Sequence, residues 1–281
     1  MGAVEPVDPA AEVGARDAIE MHAHERWTAD AAPVAAPAEL AQEVPIAFEY
    51  NGISHAVMLA TPADLEDFAL GFSVSEAIAT PAQWRGVDVR ESAAGVTLAI
   101  DIAPEAFAHL KARRRTLAGR TGCGICGTES LAQVLRPLPD LSAVALCVTA
   151  AALRRAHARL AAAQPLQRAT GAAHVAVFCE RDGAIVLARE DVGRHNALDK
   201  LIGALVRARI DARAGFALVT SRASVEMVQK SATAGIALLA AVSAPTALAV
   251  RTAAACGQTL IGFARGAAFN VYTRPDRLRA G

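Results

Sequence analysis

Cys123 and Cys126 stand three residues apart in the run GCGICG, Gly122 to Gly127, just after a stretch carrying Lys111, Arg113, Arg114, Arg115 and Arg120. Gly122, Gly124 and Gly127 have no Cβ to restrict the backbone, so this loop can carry its sulfurs out to a partner and fold back. A cysteine that only fills a core needs no such freedom. The nearby arginines favour thiolate over thiol, the form that attacks and carries sulfur. Three chemistries compete for the pair: a zinc site, a redox disulfide and a sulfur carrier. Structural zinc needs two such pairs, or one pair with two histidines, and Cys147, Cys179 and Cys256 form no second Cys-x-x-Cys. Zinc deaminases combine His-x-Glu with a later Pro-Cys-x-x-Cys, and both features are missing from this sequence. Thioredoxin-like pairs open a helix after a strand, whereas this pair is bracketed by glycines in a long loop. A delivering thiol fits best. The other three cysteines lie in apolar contexts and read as small core residues.

A second group of polar residues falls at strand-to-helix junctions: Glu190 to Asn196 (EDVGRHN), Ser221 to Ser224 (SRAS) and Ser243 to Thr246 (SAPT). In an open α/β sheet such junctions share one edge, where helix N-termini offer unpaired N–H groups to phosphates. Arg194 and Arg222 would add charge-assisted bonds there, while Asp191, His195 and Asn196 could orient a ring or a ribose. The competing reading is helix capping, which suits Ser243 and Thr246 beside Pro245. A further turn, GFARG from Gly262 to Gly266, sets Arg265 between small residues, and is either a phosphate-gripping turn or an ordinary hairpin.

These groups need a fold to place them. The chain has 281 residues, 53% of them apolar, which is ample for a buried core. Lysine plus arginine and aspartate plus glutamate both number 28, so no global charge points to nucleic acid or an anionic membrane. Odd cysteine content and the absence of a basic start followed by an apolar run point to a reduced, cytoplasmic setting. The longest apolar tract, Ile236 to Val242, is too short to span a bilayer.

Residues 1 to about 40 are rich in Ala, Pro, Glu and Asp and predict a mobile tail. From residue 41 to 110 a small α+β unit is expected. Two extended runs flank Asn51-Gly52, the signature of a tight hairpin turn. A helix follows, with Thr61 as cap, Pro62 in its first turn, Asp64 facing its dipole, and Leu65, Phe68, Ala69 and Phe72 on one face. Short strands near Val87 to Arg90 and Val96 to Ile102 complete the unit. Residues 111–128 form the flexible Cys-x-x-Cys loop. From 129 to 281 apolar strands alternate with amphipathic helices, which implies a sheet covered on both faces, a three-layer α/β domain.

Taken together, TPADLEDFALGF, GRTGCGICGTESL, EDVGRHNALDKLIG, SVEMVQKSATAGI, SAPTALAV and GFARGAAFNVYT resemble, in order, the motifs of the FdhD family of formate dehydrogenase accessory sulfurtransferases. The match covers most of residues 44 to 273. The resemblance implies a cytidine-deaminase-like α/β domain without its zinc machinery and with no intrinsic metal. It also implies a homodimer that takes sulfur from a cysteine desulfurase and passes it to a molybdenum bis-molybdopterin guanine dinucleotide for formate dehydrogenase. Cys123 would then bear the persulfide, with Cys126 as its partner. The cofactor-binding stretch would be Phe263, Ala264, Arg265, Gly266, Ala267 and Ala268. In this chain Ala267 and Ala268 stand where relatives often have polar or basic side chains, so contacts there fall to the backbone. Two rivals share some of these features: a cofactor chaperone without covalent chemistry, and a structural protein whose cysteines hold a metal.

Overall fold

The computed structural model describes residues 18–117 and 136–280. It opens with an antiparallel ribbon of β1 (Ile19–Thr28) and β2 (Ala31–Ala41), in register from Ile19 opposite Ala41 to Arg26 opposite Val34, with a shift before Thr28 opposite Ala31. The expected mobile tail therefore does not extend to residue 40. Both strands are mostly exposed, and the alanines and prolines of β2 leave no hydrophobic period, so the pairing is invisible in composition.

The small unit follows. Strands β3 (Val44–Tyr50) and β4 (Ile53–Ala60) are joined through Asn51 at φ 46° and Gly52 at φ 81°, the left-handed pair that a tight hairpin turn needs. Asn51 also fixes the turn to the neighbouring strand end: its side chain donates to the Ile102 carbonyl and accepts from the Ile102 N–H, both at 3.0 Å. Helix α1 (Leu65–Ser75) is next, then β5 (Trp84–Ser92), β6 (Gly95–Ile102) and helix α2 (Pro104–Leu117). The strands form one sheet in the order β4-β3-β6-β5. Its inner face buries Ile46, Phe48, Tyr50, Leu98 and Ile100 against Phe68 and Phe72 of α1. Helix α1 begins later than its cap signals suggest. Asp64, itself left-handed at φ 53°, stands at the N-cap without a side-chain cap bond, and Thr61 is engaged elsewhere.

The larger domain runs through β7 (Val148–Thr149), α3 (Ala150–Leu160), α4 (Pro165–Thr170), β8 (His174–Cys179), β9 (Ile185–Asp191) and α5 (Arg194–Arg207). It continues through β10 (Phe216–Val219), α6 (Val225–Thr233), β11 (Leu238–Ala241), α7 (Ala247–Ala255), β12 (Thr259–Arg265), β13 (Ala268–Val271) and β14 (Leu278–Arg279). A six-stranded sheet has the order β13-β12-β11-β10-β8-β9, with β10, β11 and β12 parallel. Because β8 is antiparallel to both β10 and β9, strand β9 also runs with the parallel set. One face packs under α5, α6 and α7 through Leu198, Leu201, Met227 and Ala249, and the other under α3 through Leu153, Ala156 and Leu160. The sheet is covered on both faces, as the alternating pattern predicts. Among the described residues no helix is long and apolar enough to cross a membrane.

The two units meet where α1 crosses α5 at backbone contact. A Cβ added to Gly71 would lie 1.7 Å from the Asp199 carbonyl oxygen, and one added to Gly203 would lie 1.9 Å from that of Asp67. Charges rim the crossing: Arg189 and Arg207 reach the two Asp67 oxygens at 2.6 and 2.9 Å. Since the obstructing atoms are backbone, no side-chain rotation makes room. Gly71→Ala and Gly203→Ala are each expected to lower stability by about 2–3 kcal/mol, read as a reduced Tm and urea midpoint; an unchanged midpoint would show that the helices separate freely.

Candidate functional site

Strands β9, β10, β11 and β12 all end at one edge of the large sheet, and helices α5, α6 and α7 all begin there. Their loops are laced side to side. Val242 donates to the Val219 carbonyl at 2.9 Å, Ala223 to Ala244 at 3.2 Å, Thr246 to Ala223 at 3.1 Å and Phe263 to Ser243 at 3.1 Å. SRAS, SAPT and GFARG are thus brought together, and EDVGRHN reaches them through His195, 3.3 Å from Glu226 at the start of α6.

Within that edge the individual residues divide. Glu190 accepts from the Leu166 and Gln167 N–H groups at 2.8 and 2.9 Å and so caps α4. Burial pushes its carboxyl up, against those two bonds. Asp191, fully buried, takes the Lys200 ammonium at 2.6 Å, the Thr61 N–H at 3.1 Å and the Gly193 N–H at 2.8 Å. Asn196 donates to Asp191 and to the Leu59 carbonyl, both at 2.9 Å. Asp191 and Asn196 therefore hold the small unit to the large one and do not face a ring or ribose. Thr246 caps α7 through Ala249 at 3.2 Å, whereas Ser243 gives its carbonyl to Phe263.

Arg194 and His195 remain, on the first turn of α5. His195 Nε2 lies 3.3 Å from Glu226 Oε2, without the alignment of a hydrogen bond. Burial would raise the Glu226 carboxyl, but Ser224, His195 and Arg194 outweigh it and hold the group below its usual range. Burial and the Arg194 charge push His195 down, and the same two causes lower His174, which opens β8. His174 and Thr220 line a cleft of about 390 Å³ with Gln164 and Gln167 of the α4 region. Arg222 is exposed on the same edge.

The β12–β13 hairpin closes the other end. Its register slips between Gly262 and Arg265, and Phe263 sits at φ 54°, a left-handed conformation that costs a non-glycine residue strain. Gly262 admits this kink because a Cβ there would meet Pro245 Cδ at 2.6 Å. Gly266, at φ 62°, turns the tip, and Arg265, Gly266, Ala267 and Ala268 are exposed. The Arg265 guanidinium stands 5.8 Å from the Phe263 ring centre. Ala264 points into the core and can offer only its backbone. His157 of α3 accepts from the Gly266 N–H at 3.4 Å.

The sequence offered no signal for Gln164, Gln167, His157 or His174, which stand outside every motif: Gln164, Gln167 and His157 reach the edge through α3 and the start of α4, and His174 opens the antiparallel β8. Cys123 and Cys126 lie outside the described residues, as does most of the expected loop 111–128. Arg136, the first described residue after them, bonds Glu76 at 3.4 Å, the Ser75 carbonyl, and Thr233 at 3.3 Å. Of the other cysteines, Cys179 and Cys256 are buried as expected, with burial pushing both thiols up, but Cys147 is exposed. Its neighbours Leu146 and Val148 are buried, so alternation along the chain turns Cys147 outward.

This geometry defines a class: an α/β protein with a ligand-type edge built from helix N-termini, an arginine-bearing hairpin and a histidine-lined cleft. The model of the FdhD/NarQ family matches residues 41–279, and the chain belongs to that family. Relatives bearing the name sulfur carrier protein FdhD include one from Variovorax paradoxus (strain S110), 55% identical over 85% of this chain and 86% of its own. Another, from Cupriavidus necator, is 56% identical over 86% of this chain and 84% of its own. The fold is also that of a crystal structure from Desulfotalea psychrophila described as a formate dehydrogenase accessory protein. That likeness has a TM-score of 0.71 and 22% identity, over 93% of this chain and 99% of the other.

The depressed histidines give a pH prediction. A histidine held below its ordinary 6.5 stays neutral in the folded state while the unfolded chain takes up a proton. The unfolded state then binds more protons, so stability falls as pH drops through about 6.5 toward the lower folded values. His174→Gln and His195→Gln should each lose less stability than wild type between about pH 7.5 and 5.5, measured as Tm against pH; curves parallel to wild type would show that these rings titrate freely.

Proposed function

We propose that this protein is a sulfur carrier for formate dehydrogenase maturation. It accepts sulfur on Cys123 from a cysteine desulfurase and delivers it to a molybdenum bis-molybdopterin guanine dinucleotide held at the sheet edge. The observation carrying this reading is that relatives more than half identical over most of this chain bear the name sulfur carrier protein FdhD, while the sequence here carries the thiol pair in GCGICG. We also read the large domain as cytidine-deaminase-like and the protein as a cytoplasmic homodimer.

In the accepting step the Cys123 thiolate attacks the outer sulfur of the desulfurase persulfide. The donor S–S bond breaks, the donor cysteine leaves as thiolate, and Cys123 keeps the outer sulfur as a persulfide. In the delivering step the Cys126 thiolate attacks the inner sulfur on Cys123, and the terminal sulfur leaves as hydrosulfide toward the molybdenum. The resulting Cys123–Cys126 disulfide is reset by a cellular dithiol. The chain's remaining work is positioning. Helix N-termini at Arg194, Val225 and Ala247 and the Phe263–Ala268 hairpin offer N–H groups and Arg265 to the dinucleotide phosphates.

Intact-mass analysis after incubation with a cysteine desulfurase and cysteine tests the first half. Wild type should gain the mass of one sulfur atom, and Cys123→Ala should not, while keeping its fold and its guanine-nucleotide affinity. If Cys123→Ala supports full formate dehydrogenase activity in a deletion strain, the non-covalent chaperone replaces this reading. Cys126→Ala should load sulfur normally and fail at release.

The second half rests on Arg265, the one charged side chain of its turn. A charge-assisted pair with phosphate is worth about 1.5–3 kcal/mol, so Arg265→Ala should weaken GDP binding by roughly ten- to a hundredfold in calorimetric titration. Sulfur loading on Cys123 should survive. Loss of loading with unchanged nucleotide affinity would reverse the two assignments.

A further inference from the structure

The start of α5 is left open by its own cap. Gly193 stands at the N-cap, so no side chain bonds the N–H groups of the first turn. A serine or aspartate there is excluded, because its Cβ would lie 2.6 Å from Asn196 Nδ2, which is fixed by Leu59 and Asp191.

Two side chains of that turn are also short of partners. Arg194 Nε is buried without a hydrogen-bond partner, and no carboxylate pairs with the guanidinium among the described residues. His195 Nε2 is likewise buried and unbonded, 3.3 Å from Glu226 Oε2, an oxygen that already accepts from the Ser224 hydroxyl at 2.8 Å. His174 completes the group. The Arg194 charge reaches it as it reaches His195 and Glu226, and its Nδ1 lies 3.5 Å from Thr220 Oγ1 in the cleft. The other charges that face these rings are already matched. Lys230, near His195, is held by Asp199 and Glu76, and Asp191, near His174, is held by Lys200. The cluster therefore contains a guanidinium with no counter-ion of its own and two imidazoles that burial and this positive charge keep neutral. What it lacks is an anion.

On the reading of this edge as the seat of the dinucleotide phosphates, we propose that Arg194, His195 and His174 hold a phosphate group at the first turn of α5, and that the imidazoles take up a proton from solvent as it binds. An anion at about 4–6 Å favours the protonated form of an imidazole by roughly ten- to a thousandfold. A protonated ring also gains a second N–H to donate to phosphate oxygens. A permanent second cation beside Arg194 would repel it in the empty site, whereas a histidine supplies its charge only when the anion is present. The sign of the pH dependence follows. The bound state carries more protons, so affinity falls as pH rises through the bound-state values of the two rings, and it levels off below the free-state values, which lie under 6.5.

The test titrates the full chain calorimetrically with diguanosine diphosphate, a pyrophosphate diester whose own charge is fixed across the neutral range, in buffers of different ionisation heat. The buffer dependence of the heat should show proton uptake, and affinity should be about tenfold higher at about pH 6 than at about pH 8. Combining His174→Gln with His195→Gln should flatten both, while Arg194→Gln weakens binding at either pH. Guanosine, which has no phosphate, should give no uptake. Absence of dinucleotide binding at either pH removes the phosphate site and the histidine assignment with it. Dinucleotide binding without proton uptake, or uptake that the double variant retains or guanosine shares, overturns the histidine assignment and leaves the phosphate site standing. Because uptake is read on the unaltered protein, it decides the matter even if the double variant misfolds.

Discussion

The close crossing of α1 and α5 is the constraint on which the rest depends. Two glycines let the helices touch backbone to backbone, and the polar groups nearby can be buried only because each finds a partner across the contact. Lys230 is the clearest case. Burial alone would lower its ammonium, but Asp199, at 2.8 and 2.9 Å, and Glu76, at 2.7 Å, hold it above the usual range. Ser75 completes the group by donating to Asp199 at 2.5 Å. On the other side Lys200 takes Asp191 at 2.6 Å and the Thr61 carbonyl at 2.9 Å. Such pairs repay little more than their desolvation, yet removing one partner strands a buried charge and costs about 3–5 kcal/mol. Their effect is to permit one relative placement of the two units and to penalise others.

That placement governs the candidate site. Helix α5 carries Asp199, Lys200 and Gly203 in its body and Arg194 and His195 at its start, so whatever fixes the crossing also aims the first turn at the sheet edge. Arg136 is tied to the same joint: its guanidinium bonds Ser75, Glu76 and Thr233 beside the Lys230 group.

Much of this was legible in the sequence. Asn51-Gly52 specified the first hairpin because its two residues tolerate positive φ, and the strand-helix alternation after residue 170 placed the junctions on one edge because parallel strands leave no other arrangement. The direction in which polar side chains point was not legible. Glu190, Asp191, Arg194, His195 and Asn196 form one polar run, but a helix start turns Arg194 and His195 toward the edge and Asp191 and Asn196 toward Thr61 and Leu59. Those partners come from a segment more than a hundred residues earlier, and local pattern does not contain them. Thr61 misled for the same reason, since a residue able to cap α1 is held by Asp191 and Val192 instead. The β1–β2 ribbon escaped because its strands are held by pairing, with almost no burial to leave a period behind.

The edge itself is built mainly from backbone. Ala264 faces the core, Gly266, Ala267 and Ala268 carry no polar side chain, and Asp191 and Asn196 are spent on the joint. What faces outward is a set of helix N-termini, a strained turn at Phe263 and a few isolated cations, Arg194, Arg222 and Arg265, in a chain whose formal charges cancel. The lateral hydrogen bonds use the loops' own N–H groups and hold the helix starts in place, so the N–H groups left over at those starts need no reorganisation to meet an anion and cannot be displaced by a rotamer change. The Phe263 bond to Ser243 and the close approach of Gly262 to Pro245 fix where the hairpin is held, and on the proposed reading that placement, with small side chains at the tip, is what recognition would depend on.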